Sequence, residues 1–189
     1  MNNVIIATAG HVDHGKTSLI KSLSDQDTDR LPEEKKRKLT IDLGFAEMKL
    51  GEIQIGFIDV PGHKDFIKNM VSGFCAVDLI LMVVSADDGW MPQTEEHLQI
   101  ISYLGVKKGI VVLTKTDLIK ETNLKINSIR KKIDNSVLAN SEIIPFSSKT
   151  GDGLKNLKES ILSALKSFCL LYTSPSPRDA TLSRMPSSA

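Results

Sequence analysis

Residues 8–18 read TAGHVDHGKTS, and the meaning of their two histidines decides the fold. Gly10-His11-Val12-Asp13-His14-Gly15-Lys16-Thr17 fits the pattern G-x-x-x-x-G-K-[ST] without a gap. The apolar run VIIATA at 4–9 precedes it, suited to a central strand covered on both faces, and Lys16 to Leu23 can form a helix after it. In a strand–loop–helix of this kind the glycines let the backbone curl until successive N–H groups point at phosphate oxygens. The helix start adds unpaired N–H groups and the positive end of its dipole. Lys16 can then reach the β and γ phosphates as a point charge, while the Thr17 hydroxyl can ligate Mg²⁺. The competing reading is a metal cluster at His11, Asp13 and His14. Zinc would need a third or fourth ligand and groups to orient them, and side chains between the glycines of a phosphate cradle should project outward, away from the nucleotide. The phosphate reading is preferred.

The rest of the chain supplies the setting. Its 189 residues can bury one good core, and a hydrophobic fraction of 41% with 25% charged residues describes an ordinary globular protein. The net charge of +1 argues against an adhesive, nucleic-acid-coating surface, though not against a local patch. Two cysteines, Cys75 and Cys169, are too few and too far apart for a disulfide framework or zinc site. The N-terminus lacks the pattern of a signal peptide, and LILMVV at 79–84 falls far short of a membrane span. A cytoplasmic protein with no membrane partner is expected.

Strands and helices alternate along the chain. LGFAEMKLGEIQIGFID predicts two antiparallel strands, near 43–49 and 53–58, joined at Gly51-Glu52. Lys64 to Gly73 reads as a short helix, 77–86 as a buried strand and 92–104 as a helix opened by a proline. A strand from 109, a helical stretch at 120–138, a strand at 142–148 and a final helix with Leu154, Leu157, Ile161, Leu162 and Leu165 complete the pattern. This predicts an α/β fold of the P-loop NTPase type: a mostly parallel sheet, one antiparallel edge strand and helices on both faces. The fold is expected to occupy residues 1–168. The segment 169–189, rich in serine, proline and arginine from Ser174, is expected to be a low-complexity tail, disordered or non-native. It is similar to translated adapter read-through; a flexible linker is the alternative.

Further segments fit the phosphate loop in chain order. In DVPGH at 59–63, Asp59 ends a strand and can hold Mg²⁺ through a water, while Gly62 can bring its N–H to a γ-phosphate. TKTD at 114–117 offers the Asp117 carboxylate to the adjacent N–H and NH₂ donors of guanine, a pair that adenine lacks. Lys115 can lay its stem along the base, and SSKTG at 147–151 can close over the other edge through the Ser148 N–H. Thr40 is a candidate for completing Mg²⁺ coordination, which would make residues 25–41 a switch ordered by GTP. His63 can orient an attacking water without acting as a full base.

The wording GHVDHGKT, DVPGH and NM-x-x-G resembles the translational GTPases, over about residues 3–168. Within that family TDRLPEEKKRKLTIDLGF at 28–45 looks most like the selenocysteine-specific elongation factors. The gamma subunit of initiation factor 2 is the nearest rival, ahead of the general aminoacyl-tRNA elongation factors. The resemblance implies GTP and GDP as ligands, with Mg²⁺ at Thr17, Thr40 and Asp59 and a monovalent cation near Asp13. It implies phosphate contacts from His11, Val12, Asp13, His14, Gly15, Lys16, Thr17, Ser18 and Gly62. Guanine contacts fall to Lys115, Asp117, Ser147, Ser148 and Lys149, and the catalytic role to His63. Two departures stand out: Lys38 where glycine is usual, and Thr114 where asparagine is commonest. In the intact factor the resemblance implies delivery of selenocysteinyl-tRNA to the ribosome at recoded UGA codons, with a selenocysteine-insertion mRNA element as a further partner. The β-barrel and winged-helix domains of such a factor are expected to lie outside this chain, which is expected to bind and slowly hydrolyse GTP without delivering tRNA. A small-molecule kinase would not explain TKTD, and a silent binding module would leave Lys16, Thr40, Asp59 and His63 idle.

Overall fold

A computed structural model describes residues 2–28, 40–63, 66–74, 77–106 and 108–172. In chain order the elements are β1 (Asn2–Ala9), α1 (Lys16–Ser24), β2 (Gly44–Leu50), β3 (Ile53–Asp59), α2 (Ile67–Phe74) and β4 (Leu79–Ser85). There follow α3 (Pro92–Tyr103), β5 (Gly109–Thr114), a 3₁₀ turn (Thr116–Leu118), α4 (Thr122–Ile133), β6 (Ile143–Pro145) and α5 (Leu154–Tyr172). The six strands lie in the order β2-β3-β1-β4-β5-β6. Only β2 and β3 pair antiparallel, around the Gly51 turn; the other neighbours are parallel. The expected α/β architecture with one antiparallel edge is what the chain adopts.

The apolar pattern explains the layers. Every residue of β4 is buried, as a strand covered on both faces requires. On one face Val4 and Ile6 of β1 meet Leu19, Ile20 and Leu23 of α1 and Leu157, Ile161 and Leu165 of α5. On the other, Ala7 and Ala9 of β1 meet Met70 and Phe74 of α2, Leu98 and Ile101 of α3, and Ile129 and Ile133 of α4. Each fully buried leucine or isoleucine contributes about 1.5–3 kcal/mol relative to an exposed one.

Among the boundaries that differ from expectation, three stand out. Helix α4 stops at Ile133 rather than 138, because Ser136 takes the Ile133 carbonyl through both its N–H (2.9 Å) and its hydroxyl (2.7 Å). The turn seats Leu138 in the core, and Arg130 donates to the carbonyls of Ala139 and Ser141 beyond it. Strand β6 is shorter than 142–148, since from Ser147 the backbone bonds within its own loop: Ser147 N–H donates to the Asp152 carbonyl. Helix α5 continues to Tyr172, past the boundary expected at 168. Residues 173–189, and the run 29–39 with Lys38, lie outside the described residues. Among the described residues no helix is long and apolar enough to cross a membrane.

Candidate nucleotide site

The loops carrying Gly10–Thr17, Asp59–His63, Thr114–Asp117 and Ser147–Gly151 follow the carboxyl ends of strands that pair in parallel, while Thr40 lies ahead of β2. Strand β1 lies between β3 and β4, so the chain passes from one side of β1 to the other there, a topological switch point. This is where open α/β sheets bind ligands. The loop after β1 has positive φ at Gly10 (135°), Asp13 (60°) and Gly15 (86°), which turns its peptides inward. A Cβ on Gly10 would strike the Val83 carbonyl, so only glycine fits.

Lys16 opens α1 and is buried, its Nζ donating to the carbonyls of Gly10 (3.1 Å) and His11 (2.8 Å). Burial draws its pKa down to about 8 against the pull of Asp59 and Asp13. An ammonium so desolvated, satisfied by two loop carbonyls, has a strong incentive to meet an anion. Gly62 backs onto it: a Cβ there would lie 2.5 Å from Lys16 Nζ and 2.8 Å from the Val12 nitrogen.

Fully buried Asp59 is the next layer. Its Oδ2 accepts from the hydroxyls of Thr17 (2.6 Å) and Thr28 (2.9 Å), and its Oδ1 from Thr8 (2.9 Å). The Thr40 hydroxyl lies 3.2 Å from that of Thr17. The structure therefore gathers Thr17, Thr40 and Asp59, which are separated in sequence, into one oxygen-only donor set. Such a set fits Mg²⁺, which takes oxygen ligands and keeps several waters.

The histidines behave differently from the expectation that the loop's side chains project outward. His14 is fully buried, its Nδ1 3.4 Å from the Val83 carbonyl and its Nε2 3.8 Å from Asp88 Oδ2. Burial, then the neighbouring His11, whose ring stands edge-on at 5.0 Å, lowers its pKa to about 4. It points into the protein because the loop packs directly over the end of β4. His63, half-buried beside Gly62, stacks obliquely on Phe66 with ring centroids 6.0 Å apart. Asp13 on the loop and Ser18 in the first turn of α1 are exposed.

On the base side, Lys115 adopts φ 55° and its Nζ lies 3.4 Å from Asp87 Oδ2. Burial works to raise the Asp87 pKa, but hydrogen bonds from Ser85 and the Asp88 N–H, with Lys115 nearby, outweigh it and hold the carboxyl low. Exposed Asp117 accepts through Oδ1 from the hydroxyl of buried Ser147 (2.6 Å). Ser148 and Lys149 lie exposed on the same loop. Thr114 donates its hydroxyl to the His14 carbonyl (2.6 Å), tying the base loop to the phosphate loop despite the absence of an asparagine amide.

Sequence reasoning missed three contributors. Thr8 and Thr28 orient Asp59, and buried His97 of α3 accepts the Gly10 N–H at Nδ1 (3.0 Å). A signal for His97 existed: with Thr94 and Ile101 it occupies one inward stripe of α3, where a polar side chain needs a partner.

The fold and its strand-end loops are those of a P-loop-type GTPase domain, and the chain belongs to the elongation factor Tu GTP-binding domain family, whose model matches residues 1–167. Within that family its likeness is to the selenocysteine-specific elongation factors. That of Desulfomicrobium baculatum is 52% identical over 158 residues, 82% of this chain and 25% of the relative. The crystal structure of a bacterial selenocysteine-specific elongation factor, EF-Sec, superposes with a TM-score of 0.84 at 46% identity, covering 88% of this chain and 29% of that one. The elongation factor SelB of Methanococcus maripaludis, in complex with the GTP analogue GppNHp, gives 0.78 at 36% identity, covering 88% of this chain and 34% of that one. The chain thus spans about a quarter of the length of the curated relative it matches.

Proposed function

We propose that this domain binds GTP with Mg²⁺ and hydrolyses it to GDP and phosphate, as the switch of a cytoplasmic factor that brings selenocysteinyl-tRNA to the ribosome at recoded UGA codons. The observation that carries this reading is the meeting of Thr17, Thr40 and Asp59 at the mouth of the phosphate loop. Thr40 lies ahead of β2, and its place beside Thr17 puts its hydroxyl where a γ-phosphate and its Mg²⁺ would engage it. The relative crystallised with a GTP analogue supports the choice of ligand.

Each residue then has a task. The peptides of His11 to Ser18 and that of Gly62 surround the phosphates, with Lys16 as the charge that offsets theirs. Thr17, Thr40 and Asp59 would hold Mg²⁺, and the ion would supply neutralisation of the charge developing on the phosphates. Asp13, exposed at the loop, is where a monovalent cation would sit. Asp117 reads guanine, Ser147 fixes its carboxylate, and Lys115, Ser148 and Lys149 flank the base. His63 orients the attacking water; most of the rate comes from such positioning and from charge stabilisation. The tRNA, the ribosome and the mRNA element are partners of the intact factor.

The test is single-turnover hydrolysis beside equilibrium binding, in the intact factor with ribosomes. His63→Ala should keep GTP affinity and slow hydrolysis by roughly 10²–10⁴-fold. Lys16→Ala should weaken binding as well. Hydrolysis at the parent rate by His63→Ala would remove the histidine from the reaction.

A further inference from the structure

The histidine on α3 lies outside every motif described above, yet it reaches the first glycine of the phosphate loop. His97 is 2% exposed, and its Nδ1 accepts the Gly10 N–H at 3.0 Å across 87 residues of chain. The next peptide is held as well, where Lys16 Nζ donates to the Gly10 carbonyl. Gly10 needs such fixing. Its φ of 135° lies in a region open to glycine alone, and glycine loses the most freedom on being ordered. Its neighbour Ala9 is locked into the sheet, paired with Met82, whereas the loop beyond has no ladder to hold it.

We infer that His97 is a positioning residue for the phosphate loop: its unprotonated Nδ1 holds the Gly10 peptide in the orientation that lets the following N–H groups converge on a polyphosphate. The proposal rests on the nucleotide-binding reading and extends it to a residue of α3. For Nδ1 to accept, the ring proton must reside on Nε2. Burial, with Lys16 and His11 close by, lowers the His97 pKa to about 3, so the ring stays neutral at any pH near 7. A loop held in this way enters binding already ordered. A loop released from His97 populates other conformations, and its apparent affinity falls by the fraction of time it spends in the competent one.

The distinguishing substitutions are His97→Asn, whose amide oxygen occupies the place of Nδ1, and His97→Leu, which fills the space without an acceptor. In the ligand-free chain, NMR hydrogen exchange at the Gly10 amide should remain slow in the parent and His97→Asn. It should quicken at least tenfold, about the effect of one lost buried hydrogen bond, in His97→Leu. GDP and GTP affinity should fall roughly tenfold in His97→Leu and recover in His97→Asn, while affinity for GMP, which lacks the outer phosphates, stays unchanged. A merely structural histidine would alter stability without moving the GDP-to-GMP ratio. Equal Gly10 exchange in all three proteins, or equal losses in His97→Asn and His97→Leu, would overturn the inference. A parent that protects Gly10 but binds no guanine nucleotide would instead overturn the functional reading, leaving His97 as the anchor of a loop with another ligand.

Discussion

Lowering the pH from 7.5 to 5 should destabilise this domain through its buried histidines. His14 and His97 are held neutral, with pKa values of about 4 and about 3 against an ordinary 6.5. Below pH 6.5 the unfolded chain takes up a proton at each, while the folded chain does not until its own lower value is reached. The stability contributed is therefore complete above pH 6.5, declines as pH falls, and levels off below the folded pKa. At pH 5, roughly 1.5 units into that window, each histidine costs about 2 kcal/mol at 1.36 kcal/mol per unit. Together they remove about 4 kcal/mol from a stability of order 5–15 kcal/mol. The assay is urea unfolding at pH 7.5, 6.5, 5.5 and 5.0, on the parent and on His97→Asn. The substitution sets its own baseline but cannot titrate, so the parent should lose about 2 kcal/mol more than the variant between pH 7.5 and 5. With a urea m-value of about 1–3 kcal/mol/M this is a difference of about 1 M in midpoint shift. Identical pH profiles would show that His97 is accessible to protons in the fold, and the geometry of its bond to Gly10 would be wrong.

Gly10→Ala should cost 3 kcal/mol or more in thermal or urea unfolding (roughly the sum of backbone strain and a steric clash), because its methyl would meet the Val83 carbonyl. Gly51→Ala, also at positive φ but facing open space, should cost only about 1 kcal/mol, and equal losses would refute the close-approach argument. Thr114→Val removes the donor to the buried His14 carbonyl while nearly keeping the shape. It should destabilise the domain by about 1–3 kcal/mol and weaken nucleotide binding, as measured by unfolding and titration; unchanged values would separate the base loop from the phosphate loop.

What could be read from the sequence depended on whether a signal was local. The strand, phosphate loop and helix from β1 to α1 were legible because eight consecutive positions carry one geometry. The β2–β3 hairpin was legible because alternation and a central glycine occur together. The end of α4 was not, since Ser136 competes with the helix for the Ile133 carbonyl, and helical periodicity says nothing of that contest. Thr17, Thr40 and Asp59 were selected separately, each for its chemistry; their meeting is a property of the sheet order. For His97 periodicity could indicate only that it faces inward. Its partner lies on a loop 87 residues away, and no local pattern encodes that distance.

The most direct test of the account is a competition titration of the 189-residue chain with GDP, GTP, ATP and a xanthine nucleotide in Mg²⁺, repeated with Asp117→Asn. The carboxylate of Asp117, steadied by Ser147, should select guanine over adenine, whose edge offers it no adjacent pair of donors. Asp117→Asn should reduce guanine affinity and favour xanthine, whose carbonyl accepts where guanine's amine donates. ATP binding as tight as GTP, or a guanine preference unchanged in Asp117→Asn, would contradict the assignment of these loops as a guanine-nucleotide site.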